Sequence, residues 1–342
     1  QTMKDIAREL GVSVSTVSRA LQGSSHISKE KRELIQRFAN EHKFTPNVIA
    51  ETLRYSKIKP VKVIGVIIPQ FVHYYFSTVL AGIEEITSKL GYRIMVAQSD
   101  EKYEKEVDIC RSFVENRVSG IIVSQAKDTV KYDHFQNLLD RGIPLVFYDR
   151  ICTGVSASHV VVDDYAGSFM GVSHLIETGC KRVAFFGSAM NLQIVQNRYN
   201  GYKDALFKHG IAIDEHLVRK CDNRHDAEIV TPVLLGSDNP PDGFFAVNDD
   251  TALRILYSAK NLGYRIPEDL SICGFTDGIR AKSCDPMLTT IEQRGFDVGC
   301  EAAKTLIDHV ENIIPAGKTI KKVVRTRLII RGTTREVNII NY

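Results

Sequence analysis

No run of the sequence approaches the length of a membrane span, and no apolar secretory segment stands at its start. The first residue is Gln1 rather than Met, so a few leading residues are expected ahead of it. The signatures of common enzymes are missing too. There is no GxGxxG for a dinucleotide, no GxSxG for a nucleophilic serine and no HExxH for zinc. Gly317-Lys318-Thr319 lacks the glycine five residues earlier that a phosphate loop requires. Seven cysteines, at 110, 152, 180, 221, 273, 284 and 300, contain no CxxC pair, and the ten histidines keep no metal-ligand spacing with cysteine or carboxylate. Scattered and odd in number, the cysteines fit a reduced, cytoplasmic compartment. No cofactor, no metal site, no membrane contact and no enzyme activity are therefore expected.

What is present is a globular composition: 342 residues, 44% hydrophobic and 25% charged, enough for two or three domains. Its charge is unevenly placed. Through Lys59 there are eleven Lys and Arg against six Asp and Glu, a net +5, whereas the whole chain carries only +3. The remaining residues thus carry about −2, and the positive potential is concentrated in the first sixth of the chain, as phosphate binding requires.

That basic segment opens with TMKDIARELGVSVSTVSRAL. Thr2 can cap a first helix on which Ile6, Ala7 and Leu10 share a face, and Gly11 ends it where the chain bends. Ser13 can cap a second helix with Val17 and Leu21 inward and Val14, Ser15, Ser18 and Arg19 outward. A third helix, about 28–42, adds Leu34, Ile35, Phe38 and Ala39 to the same small core. A polar cap that never meets nucleic acid could show the same pattern, but two helices around a Gly-Val-Ser turn beside a basic surface fit the DNA major groove. Pro46 then interrupts the third helix, and Asn47 can cap a short fourth one reaching about Arg54.

With the tripeptide His26-Ile27-Ser28 and the Pro46-Asn47 hinge carrying Ala50 and Leu53, this segment resembles the lactose and purine repressor (LacI/GalR) family, and the likeness extends over nearly the whole chain. The resemblance implies that Val14, Ser15 and Arg19 read base edges. Arg can bond two guanine acceptors, Ser several edges, and a Val methyl can touch a thymine methyl. It implies that Thr2, Ser13, Thr16, Ser18 and Asn47 hold the phosphate backbone, which sets register rather than sequence. It also implies that the hinge helix folds on DNA, with Ala50 and Leu53 in the minor groove and Leu53 wedged between base steps. Leu53 could instead pack against the body.

From Val61 the chain alternates continuously apolar strands with amphipathic helices: VKVIGVIIP, YRIMVAQ, SGIIVSQ, IPLVFYDR, HVVVDD, RVAFFG, GFFAVND and SICGFTD, with helices near 76–90, 103–116, 131–141, 165–178, 198–209 and 251–262. Seven or more βα units imply two doubly wound parallel-sheet lobes. PMLTTIEQ, a helix near 296–311 and VVRTRLIIRGTT are expected to cross back between them. The fold expected is an all-α helix-turn-helix headpiece followed by an α/β body, and the resemblance makes that body similar to periplasmic binding proteins with a ligand cleft. The expected division is a headpiece over 1–45, a hinge over 46–59, a body over 60–334 and a tail over 335–342. Within the body, the N-lobe takes about 60–160 plus 292–322 and the C-lobe about 161–291 plus 323–334.

Ligands in open α/β sheets sit beyond the carboxyl ends of the strands. Those ends gather Tyr75-Phe76, Ser124, Asp149-Arg150, the loop 191–198, Asn248-Asp249 and Thr276-Asp277, a mixture suited to a polyhydroxylated ring. Effector positions carried over from the resemblance are Tyr75, Phe76, Asp149, Arg198 and Asn248, with Asp249 and Thr276 as further candidates. Asp149 could instead cap a turn, Asp163 or Asp164 the helix behind them, and Asn248-Asp249 could form a strand-to-helix turn without a ligand. Arg198, read as starting a helix, gains nothing from a dipole already positive there, so a ligand or an acidic partner is the better explanation. Where relatives carry a carboxylate after Gly274-Phe275 this chain has Thr276, which leaves room for a less hydroxyl-rich or anionic effector.

The sequence therefore points to a ligand-responsive transcriptional regulator, most simply a repressor binding a palindromic DNA operator as a homodimer under a small carbohydrate-like effector. An activator of the same build and a solute-binding receptor are the alternatives. Apolar faces on the helix after Tyr75 and around Val107–Phe113 could form the dimer contact or could be buried within a lobe. The tail REVNIINY has no leucine heptads, which argues against a helical tetramerisation segment.

Overall fold

The computed structural model describes residues 3–21, 24, 26–42, 62–188, 192–221 and 224–336. They belong to two compact units, within 1–61 and 62–342. Thr2, Asn47, Ala50, Leu53 and Asn191 lie outside the described residues, as does the tail beyond 336.

The first unit holds helices α1 (Met3–Glu9), α2 (Val14–Leu21) and α3 (Lys29–Glu41). Ile6, Ala7, Val17, Ala20, Ile35 and Ala39 are buried together, with Leu10, Val12, Val14, Leu21 and Phe38 packed around them. Gly11 takes a left-handed backbone (φ 61°), the bend that separates α1 from α2. The Thr16 N–H donates to Ser13 Oγ at 3.1 Å, so Ser13 caps α2 as its sequence position suggests. Two expectations for this unit need correction. Leu34, assigned to the core, is 52% exposed, because the inward stripe of α3 runs through Ile35 and Ala39 instead. Ser18, placed on the outer face of α2, is buried at 6% exposure, since it adjoins Val17 on the side that meets α1 and α3.

Among the described residues the second unit is built on two six-stranded sheets, whose central apolar strands are buried on both faces. In the N-lobe the order is β11-β5-β4-β3-β1-β2, all parallel: β1 (Val63–Ile68), β2 (Arg93–Gln98), β3 (Gly120–Val123), β4 (Leu145–Tyr148), β5 (Ser158–Val162) and β11 (Lys321–Val324). The C-lobe repeats it as β12-β10-β9-β8-β6-β7, with β6 (Val183–Gly187), β7 (Val218–Lys220), β8 (Gly243–Ala246), β9 (Ser271–Thr276), β10 (Thr289–Glu292) and β12 (Arg327–Ile329). Only the β10–β12 pair in that sheet is antiparallel among the described residues. In each sheet the strand order reverses beside β1 or β6, opening a crevice at the strands' carboxyl ends. The chain crosses between sheets after Val162, after Glu292 and after Val324, so each first-sheet segment extends about two residues beyond the boundaries read from sequence.

Helices α4 (Tyr74–Lys89), α5 (Tyr103–Glu115) and α6 (Asp133–Asp140) cover the N-lobe, joined by α11 (Gly295–Val310). A Cβ at Gly82 would collide with the Phe296 carbonyl, and one at Gly299 with the Val79 carbonyl. Backbone-to-backbone contact between α4 and α11 therefore fixes α4, whose first turn carries Tyr75 and Phe76. That contact and the burial of Cys110 and Phe113 account for part of the apolar faces considered for dimerisation, while Leu80, Ile86, Val107 and Ile109 on the same helices are half-buried. The C-lobe carries α7 (Asp164–Glu177), α8 (Gln193–Lys208), α9 (Arg224–Leu235) and α10 (Asp249–Asn261). Helix α8 begins five residues before Arg198, so Arg198 is in its second turn and the dipole argument for it does not hold. Strand β7 and helix α9 were not anticipated. Arg335, assigned to the tail, donates to the Pro267 and Asp269 carbonyls of the C-lobe at 3.1 and 3.3 Å.

Candidate functional site

On the first unit, α2 presents Ser15 and Arg19 to solvent one turn apart, on the same face. Arg19 makes no ion pair among the described residues, leaving its planar donor fork open. Val14 and Thr16 are half-buried, and Ser13 Oγ lies 2.8 Å from both Ser15 Oγ and Thr16 Oγ1. This hydroxyl cluster stands at the start of the helix, where free backbone N–H groups favour phosphate.

On the second unit the crevice is walled by both lobes. From the N-lobe come Tyr75 and Phe76, their rings edge to face at 5.6 Å, with Tyr148 behind Phe76 at 6.3 Å. Asp149 follows β4 in a left-handed conformation (φ 58°), which an Asp tolerates and which places its carboxylate in the site, 6% exposed. Burial pushes its carboxyl above the usual range despite the pull of Arg150 and Arg198. No hydrogen bond reaches that carboxylate among the described residues, and the nearest guanidinium nitrogen, Arg150 Nε, is 3.9 Å away. The Tyr75 and Tyr148 hydroxyls and Ser124 Oγ are also buried without a hydrogen-bond partner among the described residues. Burial raises both phenols well above their ordinary range, Asp149 adding to each and Asp164 to Tyr75.

From the C-lobe comes Arg198, 5% exposed. Its Nε and Nη2 lie 2.8 and 2.6 Å from Asp164 Oδ1, its Nη1 donates to the Val247 carbonyl, and its Cζ sits 3.7 Å from the Phe275 ring centroid. The acidic partner foreseen for Arg198 is thus Asp164, while Asp163 caps α7 by accepting from the Ala166 N–H at 3.0 Å. Burial lifts the Asp164 carboxyl to about 6, even against Arg198. Asn248 Oδ1 caps α10 by accepting from the Thr251 N–H at 2.8 Å, leaving its amide nitrogen without a bond among the described residues.

Asp249 and Thr276 are differently engaged. Asp249 accepts from Thr290 Oγ1 at 2.5 Å and from the Gly278 N–H at 2.7 Å, so its carboxylate ties β10 to the loop after β9, and burial raises it to about 6. Thr276 Oγ1 donates to Gln293 Oε1 at 2.9 Å at a crossover between lobes. Asp277 pairs with Arg331 at 2.6 Å and Lys282 at 3.0 Å. Neither carboxylate is therefore spare.

Sequence reasoning did not foresee Glu101. Its carboxylate accepts from Arg150 Nη1 at 2.6 Å and from the Lys127 N–H at 3.0 Å. Beneath it, buried Glu106 accepts from the Ala126 N–H and Thr129 Oγ1, both at 2.7 Å, and lies 3.0 Å from His134 Nε2. Together these two carboxylates fix the 125–129 loop that rims the crevice. A cavity of about 280 Å³ lies between the lobes beside the crossovers, with Tyr74 and Tyr75 on one side and Thr276 and Asp277 on the other. A larger one, about 580 Å³, opens at the amino ends of β3, β4 and β5 and includes none of the site residues named above. Neither space is lined by Phe76, Asp149, Arg198 or Asn248; topology places a ligand at the carboxyl ends of the strands, the side on which those four residues stand.

A helix-turn-helix unit followed in sequence by a two-lobed α/β body is the build of a DNA-binding regulatory protein. Residues 2–47 match the description "Bacterial regulatory proteins, lacI family", and residues 172–334 match a periplasmic binding protein-like domain. The ribose operon repressor of Halalkalibacterium halodurans is 30% identical over 336 residues, 98% of this chain and 97% of that protein. The chain belongs to the lacI family of bacterial regulatory proteins. Among solved structures, a LacI family transcriptional regulator from Enterococcus faecium with bound ribose is similar at 28% identity and a TM-score of 0.71, covering 80% of this chain and 99% of that one. A Lac repressor bound to ONPG in the repressed state shares the fold at a TM-score of 0.80 and 23% identity, over 98% of this chain and 99% of that one.

Proposed function

We propose that this chain is a transcriptional repressor that binds a palindromic operator as a homodimer and is controlled by a small sugar or sugar derivative held between its lobes. The observation that carries the effector reading is the Asp149 carboxylate: buried, without a hydrogen bond among the described residues, and set among unpartnered Tyr75, Tyr148 and Ser124 hydroxyls. Such groups cost free energy when left dry and unpaired, and a polyhydroxylated ring satisfies them together. The ribose named for two of the similar proteins supports the same class of ligand.

In this reading Tyr75 and Phe76 cover an apolar ring face. Asp149, Arg198 and the Asn248 amide bond its hydroxyls, whereas Asp249 and Thr276 hold the walls in place. On α2, Val14, Ser15 and Arg19 read bases, and Ser13 and Thr16 contact phosphate with Thr2 and Asn47. Ser18, being buried, contributes to the helix packing rather than to phosphate. Effector binding shifts the balance between lobe arrangements and hence between DNA-competent and incompetent dimers. The cleft binds without turnover, and the protein works in the cytoplasm, where its seven free cysteines stay reduced.

The test is a thermal-shift screen of ribose and other sugars on the wild type and Asp149→Asn. A ligand at about 100 times its dissociation constant adds roughly 2.7 kcal/mol to the wild type. The expected result is a shift lost in Asp149→Asn; a shift that survives the substitution places the ligand elsewhere.

A further inference from the structure

We propose that the cleft selects against anionic effectors and that Glu101 and Asp164 are the residues that enforce this, an inference resting on the cleft being the effector site. Among the described residues at the strand ends, two guanidinium groups face the crevice, Arg150 and Arg198, and each already holds a counter-charge. Arg150 donates to Glu101 at 2.6 Å, the two side chains being 12% and 15% exposed. Arg198 holds Asp164 at 2.6 Å, with 6% and 2% exposed, and its flat face is taken up by Phe275. Asp149 is a third carboxylate without a guanidinium of its own, Arg150 Nε standing 3.9 Å away. Three carboxylates thus face two guanidiniums in a largely desolvated space, where a like charge is repelled more strongly than in water.

The unfilled polar capacity has the same bias. Asp149 only accepts while ionised, and the Tyr75, Tyr148 and Ser124 hydroxyls can each donate or accept. A phosphate needs several donors at once; a sugar hydroxyl supplies the donor that Asp149 lacks. Two other groups near the site carry potential positive charge. Burial lowers His73 below its ordinary range, which disfavours its cationic form, and half-buried Lys127 meets Glu101 through its backbone N–H rather than its ammonium. Glu101 itself follows Asp100 with both residues in the left-handed region (φ 62° and 58°), a backbone conformation uncommon for side chains of this kind and one that brings the carboxylate to Arg150. The anionic effector suggested by the missing carboxylate at Thr276 is therefore the one these charges disfavour.

The experiment compares ribose with ribose 5-phosphate, and glucose with glucose 6-phosphate, by titration calorimetry on the full chain. The wild type, Glu101→Gln and Asp164→Asn are compared, with circular dichroism melts to establish that each variant is folded. Glu101→Gln keeps the shape of a half-buried side chain and carries the test if Asp164→Asn, at a fully buried position, does not fold. In the wild type an uncharged sugar binds at least tenfold more tightly than its phosphate, and the ratio falls at least tenfold in Glu101→Gln. Equal or tighter phosphate binding by the wild type overturns the inference while leaving the cleft as the ligand site. So does a ratio unchanged in every folded variant. Binding of none of the four compounds to any of the proteins overturns the sugar reading of the cleft and this inference with it.

Discussion

Arg198 lies over the face of Phe275 at 3.7 Å while holding buried Asp164 at 2.6 Å. Its guanidinium is thus fixed in plane by a carboxylate and across the plane by a ring before any ligand arrives. Preorganisation of this kind lowers the entropy cost of binding, because little side-chain freedom remains to be lost.

Removing Arg198 strands Asp164. Breaking a buried ion pair by deleting one partner costs roughly 3–5 kcal/mol, so Arg198→Ala should be strongly destabilised at neutral pH. The penalty depends on pH with a definite sign. The Asp164 carboxyl already titrates at about 6 with Arg198 present, above its unfolded value, and loss of the cation raises it further. A group raised in this way is best tolerated in acid, and its contribution is lost as pH rises through the folded pKa. Urea denaturation at pH 5 and pH 8 should therefore show a smaller gap between wild type and variant at pH 5. An equal gap at both contradicts the assignment.

Asn248 has two separable duties. Its Oδ1 caps α10, so Asn248→Ala should cost about 1 kcal/mol of stability. Asn248→Ser keeps an oxygen for the cap but loses the amide nitrogen offered to the ligand. Near-normal melting with weakened sugar binding is the outcome expected of the serine variant, and unchanged binding would confine Asn248 to capping.

Ser13 and Ser15 make a matched pair on the first unit. Ser13→Ala removes the cap of α2 and should destabilise the headpiece by about 1 kcal/mol, whereas Ser15→Ala at an exposed position should leave melting within about 0.5 kcal/mol yet weaken DNA binding. Comparable melting losses in both variants would contradict this division.

Leu53→Ala addresses the proposed minor-groove wedge. Affinity for a selected operator should fall, with the melting of the second unit unchanged. Unaltered affinity with lowered stability would mean that Leu53 packs against the body instead.

The readability of each region from sequence follows its physics. The helix-turn-helix was legible because a capping serine, a left-handed glycine and 3.6-residue spacing all agree, and the parallel strands because burial on both faces makes them apolar throughout. Leu34 misled because it adjoins Ile35, and neighbouring helical positions point in different directions, so only one of the two joins the inward stripe. Helix α9 was hidden by Pro232 inside it and by Ile229 and Val233, which are 55% and 65% exposed and blur any apolar stripe. Strand β7 is three residues long and gives too short a signal. In the cleft, Asp149 and Arg198 were legible as residues but their partners were not. Asp164 looked like a second helix cap beside Asp163, and Glu101 reaches Arg150 from 49 positions away through a left-handed turn that no local pattern announces.

Selection of DNA from a random duplex pool by the full chain addresses the proposed DNA function most directly, with Arg19→Ala run in parallel at a stated salt concentration. The wild type should enrich a palindrome, and Arg19→Ala should relax the same base position in both half-sites, at a cost of about 1–3 kcal/mol per contact. No enriched sequence, or an Arg19→Ala consensus identical to the wild type at full affinity, would contradict the reading of α2 as the element that recognises DNA.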